Sequence, residues 1–364
     1  MAEESWKKHV KLFIPGPVEV FPDVLEEVGR PMIGHRSQQF KDLYAECRTK
    51  LKEVLGAQDA FVFLSTSSAT GVWEAAIRNC IEKKALCCAC GAFSKKWGEV
   101  VEMNGREVDF LEVEMGQGIT AEMIDEKLAS GEYDALTFVH NETSAGVMNP
   151  IEEVAEVMKK YPDVMFLVDA VSSMTTVPID VDKLGIDVCL ASVQKAFSLP
   201  PGLAVFTVSK KAMEKSETMK NRGYYFDFQA FKKYDEKSQT PTTPAIPQIY
   251  GLHKVLCKML EEGMENRYKR HAEMADYVRN WAVEKGFELF AQEGFRSNSL
   301  TAITNTKGIN IADLNKALSS KHGMVLSNGY GDLKEKTFRI AHMGDMQLDD
   351  IKGLLAAVEQ EAGL

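Results

Sequence analysis

Ala191-Ser-Val-Gln-Lys195-Ala-Phe-Ser198 follows the hydrophobic segment Val188 to Ala191, and Pro200-Pro-Gly202 then breaks the chain before a second apolar segment, Leu203 to Val208. Two short apolar runs punctuated by a turn read as strands, and Lys195 falls at a strand end. Earlier in the chain, Val164-Met-Phe-Leu-Val-Asp169 repeats the pattern with an aspartate at its end. Runs of this kind, with no polar side, are buried on both faces, as in a parallel sheet covered by helices.

Working outward, the same texture recurs. Candidate strands are Ala60 to Leu64, Ala85 to Ala89, Glu107 to Val113, Ala135 to His140, Met165 to Val168, Val188 to Ala191 and Leu203 to Val208. Charge-rich amphipathic segments of helical length separate them, which predicts an α/β architecture with a mainly parallel sheet. After Tyr250 the sequence changes, and Lys254 to Ala282 reads as a long charged helix bridging two parts. Short strands are expected at Phe287 to Phe290, Ser299 to Ile303, Val325 to Leu326 and Thr337 to Ala341, beside helices at Ile311 to Ser319 and Leu348 to Glu361. The expected organisation is an N-terminal arm over 1–20, a large domain over 21–262 and a small α/β domain over 263–364. The polar, proline-rich segment Tyr224 to Pro247 reads as a long structureless loop, a feature more often functional than accidental.

The 364 residues carry 43 basic and 53 acidic side chains, a formal charge of −10. That balance gives no broad attraction to nucleic acid or to an anionic membrane. The N-terminus lacks the apolar stretch of a secretory signal, and no run is long or apolar enough to span a bilayer, so a cytoplasmic location is expected. Seven cysteines are an odd count in a chain too large to need disulfide staples, and reduced thiols are the simpler reading. Cys87, Cys88 and Cys90 crowd together without a second cysteine pair or a histidine partner, so a buried strand is expected there rather than a zinc site.

Several strand ends carry groups suited to chemistry. Desolvation among small and apolar neighbours would lower the pKa of Lys195 and leave a free amine able to attack an aldehyde. Asp169 should project from the carboxyl end of its strand, where open α/β sheets place ligands, although a helix cap is the plain alternative. Ser65-Thr-Ser-Ser-Ala-Thr-Gly71 leads into a helical segment and suits an anion, or else an ordinary N-cap. Phe93 or Trp97 could stack on a flat ring, and His140-Asn-Glu-Thr-Ser144-Ala-Gly146 sets hydroxyls and an amide beside a glycine turn. Arg339 lies inside an apolar run and needs an anion, either a substrate carboxylate or a structural salt bridge. Arg36, next to His35, is a second possible anion reader.

Taken together, Val139-His-Asn-Glu-Thr-Ser-Ala-Gly-Val-Met-Asn-Pro150, Val168-Asp-Ala-Val-Ser-Ser173 and Ser192-Val-Gln-Lys-Ala-Phe-Ser-Leu-Pro-Pro-Gly-Leu203 resemble the class V, fold-type I pyridoxal-phosphate aminotransferases of the alanine-glyoxylate, serine-glyoxylate and serine-pyruvate group. The resemblance runs from Phe13-Ile-Pro-Gly-Pro17 to Phe338-Arg-Ile-Ala-His-Met-Gly344. It implies a seven-stranded, mainly parallel sheet, pyridoxal 5'-phosphate as cofactor, and a homodimer with active sites at the subunit interface. By this resemblance Lys195 holds the cofactor through a Schiff base and moves the substrate proton, and Asp169 partners the pyridine nitrogen. Ser68, Ala69, Thr70 and Gln194 match phosphate contacts, Phe93 and Val171 the residues on either ring face, and Ser144 a cofactor-side hydroxyl. Arg339 matches the receptor of the substrate carboxylate, and Gly16 lies in a loop that approaches the substrate. Thr243 matches a threonine that reaches the neighbouring subunit's phosphate. Thr240 stands where an aromatic is frequent, Phe93 where some relatives have tryptophan, and Ala69 where glycine is common. The implied activity is transfer of an amino group from alanine or serine to glyoxylate or pyruvate by a ping-pong mechanism. Phosphoserine with 2-oxoglutarate is the alternative substrate pair, with Arg36 or His35 as the extra anion contact, and a non-catalytic cofactor-binding scaffold is a more remote one.

Overall fold

In the computed structural model, residues 8–364 are described; residues 1–7 of the expected N-terminal arm lie outside them. In chain order the strands are β1 (Lys11–Phe13), β2 (Phe61–Ser65), β3 (Lys84–Ala89), β4 (Glu107–Glu112), β5 (Ala135–Val139), β6 (Asn141–Glu142), β7 (Val147–Met148), β8 (Met165–Asp169), β9 (Val188–Ser192), β10 (Ala204–Val208), β11 (Glu288–Leu289), β12 (Leu300–Thr304), β13 (Met324–Asn328) and β14 (Thr337–Ala341).

Seven of them form one sheet in the order β2-β10-β9-β8-β5-β3-β4. Only β10 runs antiparallel to its neighbours, so the mainly parallel sheet expected from the sequence is what forms. Strands β5, β8, β9 and β10 are buried at every position, which their unbroken apolar runs require. At the edge, β4 is more exposed and mixes charged with apolar residues. Helices cover both faces, among them Ala69–Cys80 and Ala92–Met103, each starting directly after a strand. Their N-termini therefore open at the carboxyl ends of the strands, beside Asp169 and Ser192.

The second sheet has the order β1-β13-β14-β12-β11. Strand β1 was not expected: residues of the presumed arm pair in parallel with β13 through Lys11 and Met324, Leu12 and Val325, and Phe13 and Leu326. Helices Met264–Glu284 and Leu348–Ala362 bury Met274, Val278, Ile351 and Leu354 against this sheet.

Three helical expectations are corrected. The long bridging helix is two, Ile246–Glu262 and Met264–Glu284, because Gly263 at φ 80° interrupts the run. The segment before Pro247 is not structureless, since Phe228–Asp235 is helical, capped by Asp227 and anchored by buried Phe228 and Phe231. The helix at Ile311 ends at Ala317 and continues as a π-turn, Leu318–His322, before Gly323.

Candidate active site

A cavity of about 300 Å³ opens at the carboxyl ends of β8 and β9. Asp169 and Lys195 line it, together with Gly16, Ser68, Ala69, Thr70, Phe93, Val171 and Gln194. The sequence-predicted groups converge because β8 and β9 are parallel neighbours, which puts the residues that follow them side by side.

Asp169 is buried, and its two carboxylate oxygens are fixed separately. Oδ1 accepts the Val171 amide at 2.8 Å and Oδ2 accepts the Trp73 indole N–H at 2.7 Å. Burial pushes its pKa up to about 7, against the two hydrogen bonds and the charge of Lys195. A cation placed against the free edge of this carboxylate would restore the charged form. Trp73 was missed in the sequence, where an aromatic inside an amphipathic helix reads as core. It stacks on Trp97 with ring centroids 5.7 Å apart, so the indole that holds Asp169 is itself held.

The Lys195 ammonium lies in the same cavity and donates to the Pro15 carbonyl at 2.6 Å. Burial lowers its pKa to about 8, with Asp169 opposing the shift and Arg339 adding to it. Gly16 packs directly on this side chain: a Cβ there would lie 2.7 Å from Lys195 Nζ. Its φ of +135° also disfavours any residue with a side chain.

At the anion end, Ser68 is the N-cap residue of helix Ala69–Cys80 but its side chain makes no cap bond. The hydroxyls of Ser68 and Thr70 are exposed toward the cavity, and the helix start keeps its free amides. The Ala69 amide is partnered by Ser192 Oγ at 3.3 Å, a hydroxyl that itself donates to Gln194 Oε1 at 2.6 Å, and the Gly71 amide by the Ser68 carbonyl at 3.0 Å. The plain N-cap reading of the Ser/Thr run is thus not what forms.

Ser144 does not face the cavity. It is buried behind it, donating to Glu142 at 2.7 Å and accepting the Ala92 amide at 3.0 Å. Its neighbours Asn141 and Thr143 line the cavity instead. Asn141 is 2 % exposed, and neither atom of its amide has a partner. Thr143 hydrogen-bonds Ser172 through its hydroxyl at 2.6 Å, and its carbonyl accepts Arg339 Nη1 at 3.1 Å. Glu142, also missed, accepts the Phe93 and Ser94 amides and the Ser94 hydroxyl, which fixes the start of helix Ala92–Met103 and with it Phe93.

Arg339 projects from β14 and is 6 % exposed. Its guanidinium bonds the Thr143 and Asn328 carbonyls and Ser327 Oγ and lies 5.7 Å from the Tyr330 ring. It makes no ion pair among the described residues, so the salt-bridge alternative is set aside. Burial lowers its pKa from the usual range.

Thr243 is exposed and lies outside this cavity; its carbonyl accepts the Thr66 hydroxyl at 3.4 Å. Arg36 is exposed and bonds Gln239 and the Thr240 carbonyl, and neither it nor His35 lines the cavity. Cys87, Cys88 and Cys90 are buried at and just beyond β3, and burial pushes the Cys87 and Cys90 thiols up to about 12. They are packing residues, with no thiolate character near neutral pH.

Comparison with known proteins agrees with this geometry. The family model "Aminotransferase class-V" matches residues 18–333. An "Uncharacterized aminotransferase" of Methanocaldococcus jannaschii is 40% identical over 96% of this chain and 91% of its own. A serine–glyoxylate aminotransferase of Methylorubrum extorquens is 33% identical over 96% of this chain and 90% of its own. The crystal structure of an alanine–glyoxylate aminotransferase from Nostoc sp. superimposes with a TM-score of 0.93 at 26% identity, covering 100% of this chain and 97% of that one. With its mixed seven-stranded sheet, its cavity at the β8 and β9 ends and a family match over most of its length, the chain is a transaminase and belongs to the class-V aminotransferase family.

Proposed function

We propose that this protein transfers the amino group of a small L-amino acid, alanine or serine, to a small 2-oxo acid, glyoxylate first and pyruvate second, using pyridoxal 5'-phosphate. One observation carries the reading: a half-buried amine and an oriented, buried carboxylate share one cavity with the unblocked start of a helix. The residues fit this cofactor. Asp169 suits a protonated ring nitrogen, Phe93 and Val171 the ring, and Ser68, Ala69, Thr70 and Gln194 the phosphate. The unpartnered amide of Asn141 suits a further polar group of the ligand. When bound, pyridoxal phosphate supplies an aldehyde for the amino group and a ring that withdraws electrons from the substrate's α-carbon.

The chain's own residues do the rest. Lys195, with a pKa of about 8, has an appreciable neutral fraction near physiological pH, so its nitrogen can take the proton from the substrate α-carbon and return it. Asp169 holds positive charge at the far side of the cavity. Arg339 receives the carboxylate that amino and oxo acids have in common, so it serves both directions. Neither Arg36 nor His35, the expected extra contacts for phosphoserine, lines the cavity, whereas Arg339 adjoins it through its bond to the carbonyl of the lining residue Thr143.

A homodimer is part of the proposal. Thr243 is exposed beyond its own chain's cavity, an arrangement that suits a contact to a neighbouring subunit's phosphate end. The free state of the seven cysteines favours a reducing, cytoplasmic setting, and no helix is long and apolar enough to cross a membrane among the described residues.

The test is a panel of half-reactions on purified protein, with alanine, serine, phosphoserine and aspartate as donors and glyoxylate, pyruvate and 2-oxoglutarate as acceptors. Alanine or serine with glyoxylate should react fastest. A clear preference for phosphoserine and 2-oxoglutarate would overturn the substrate assignment, and normal turnover by Lys195→Ala would overturn the site.

A further inference from the structure

Arg267 lies in the first turn of helix Met264–Glu284 and is 1 % exposed, among the largest side chains buried so completely. A buried guanidinium needs several acceptors. Nε donates to the Thr175 carbonyl at 3.1 Å, Nη2 to the Ala196 carbonyl at 2.8 Å, and Nη1 to Asp345 and Glu262, each at 3.3 Å. Ala196 directly follows Lys195. Thr175 directly follows the turn from Ala170 to Met174 that leads on from Asp169, and Asp345 comes after the strand that carries Arg339.

The backbone at these contacts is strained. Thr175 at φ 71° and Ser198 at φ 54° are non-glycine residues in the left-handed region, which persists only where surrounding contacts impose it. The turn after the lysine is closed by the Ser198 amide on the Lys195 carbonyl at 2.8 Å, and Ser198 Oγ accepts the Asp345 amide at 3.2 Å. Gly344 comes so close that a Cβ would lie 2.0 Å from that hydroxyl. The His271 ring is held between the Arg267 carbonyl at 2.7 Å and the Gly344 amide at 3.1 Å. An ion-pair cluster of Arg267 and Arg270 with Glu262, and of Lys258 with Asp345 and Asp23, adjoins the site. Such a cluster would serve a purely structural role equally well. What distinguishes Arg267 is that two of its acceptors are backbone carbonyls on the segments that carry the chemistry.

We propose that Arg267 is a positioning residue for Lys195: its guanidinium fixes the strained backbone that carries the amine and ties it to the segments that carry Asp169 and Arg339. The inference rests on the reading of Lys195 as the reacting amine. It predicts that Arg267 acts on turnover through the placement of that nitrogen, with little effect on substrate affinity.

The experiment uses the cofactor-loaded enzyme and its best amino donor. Arg267→Lys keeps the charge opposite Asp345 but not the three-way fork. It should lower kcat about tenfold or more, leave the donor KM within about twofold, and shift the pH at which the lysine-bound chromophore titrates. Glu262→Gln removes an ion-pair partner and neither carbonyl contact, so it should lower Tm with kcat unchanged. If Arg267→Lys instead lowers Tm alone, with the parent's kcat and chromophore titration, Arg267 is structural and the proposal falls. Should Arg267→Lys not fold, Ser198→Gly gives an independent reading, because glycine accepts the left-handed φ while the hydroxyl tie to Asp345 is lost. A lower kcat at a Tm close to the parent's supports the clamp; an unchanged kcat overturns it. An active Lys195→Ala variant would remove the underlying assignment, whereas an inactive one beside an indifferent Arg267→Lys removes the clamp alone.

Discussion

Gly16→Ala is the perturbation whose effect the structure defines most narrowly. The added Cβ would lie 2.7 Å from both Nζ and Cδ of Lys195, while ordinary contact begins at 3.4 Å. The lysine tip must therefore retreat by about 0.7 Å, or the loop carrying Pro15 must move with it. The φ of +135° adds backbone strain of about 1–3 kcal/mol for a residue with a side chain. Since a misplacement of about 1 Å costs a reaction about a hundredfold, a displacement of this size should lower kcat by between tenfold and a hundredfold. Single-turnover decay of the bound cofactor's visible absorbance on mixing with alanine measures the step directly. Gly105→Ala is the comparison, because Gly105 has φ +72° with nothing within 4 Å of an added Cβ. It should lose stability from strain and keep its turnover. If Gly16→Ala folds and reacts within about twofold of the parent, Gly16 is not packed on a reacting amine and the placement of Lys195 is wrong.

Trp73→Phe removes the indole N–H from Asp169, a bond to a charged group worth about 1.5–3 kcal/mol, so pyridoxal phosphate should be retained about tenfold less tightly or worse in equilibrium dialysis. Arg339→Ala should raise the KM of both donor and acceptor by about tenfold to a hundredfold, with a smaller effect on kcat; a change in Tm alone would favour a structural role. In cofactor-free protein the two buried groups give opposite pH signatures. Asp169 at about 7 binds a proton in the folded state that it has lost in the unfolded state above its ordinary 3.8, so its contribution to stability falls between about pH 4 and 7. Lys195 at about 8 is neutral when folded and protonated when unfolded up to its ordinary 10.5, so stability rises with pH through that window. Urea titrations across pH should show both slopes, and Lys195→Met should flatten the upper one.

What could be read in the sequence follows from how local each signal is. Strands β5, β8 and β9 were legible because burial on both faces demands an uninterrupted apolar run. Asp169 and Lys195 were legible because polar groups directly after such runs emerge at strand ends. Strand β1 was not: its three residues, Lys11-Leu-Phe13, are too few to show a period, and its partner lies over 300 positions away. The confusion of Ser144 with Thr143 has a stereochemical origin. Both lie in the tight turn Glu142–Gly146, closed by the Gly146 amide on the Glu142 carbonyl, where the chain reverses and one position separates a hydroxyl in the cavity wall from one bonded to Glu142 behind it. Trp73 and Arg267 act through partners distant in sequence, Asp169 and the Ala196 carbonyl, and no spacing rule reports those contacts.

Glu142 explains why Arg339 remains available. It is the carboxylate whose charge acts on the arginine, and a direct ion pair between them would have to be broken before a substrate carboxylate could bind. The hydrogen-bonding capacity of Glu142 is instead taken by neutral donors, the amides of Phe93, Ser94 and Ser144 and the hydroxyls of Ser94 and Ser144. Helix Ala92–Met103 begins at the same point, and its dipole favours a negative charge there. The anion is thus satisfied without a cation, and Arg339 is held in place by carbonyls and a hydroxyl that orient it without neutralising it. A site arranged in this way presents fixed positive charge to an incoming carboxylate and has no internal ion pair to break when that carboxylate arrives.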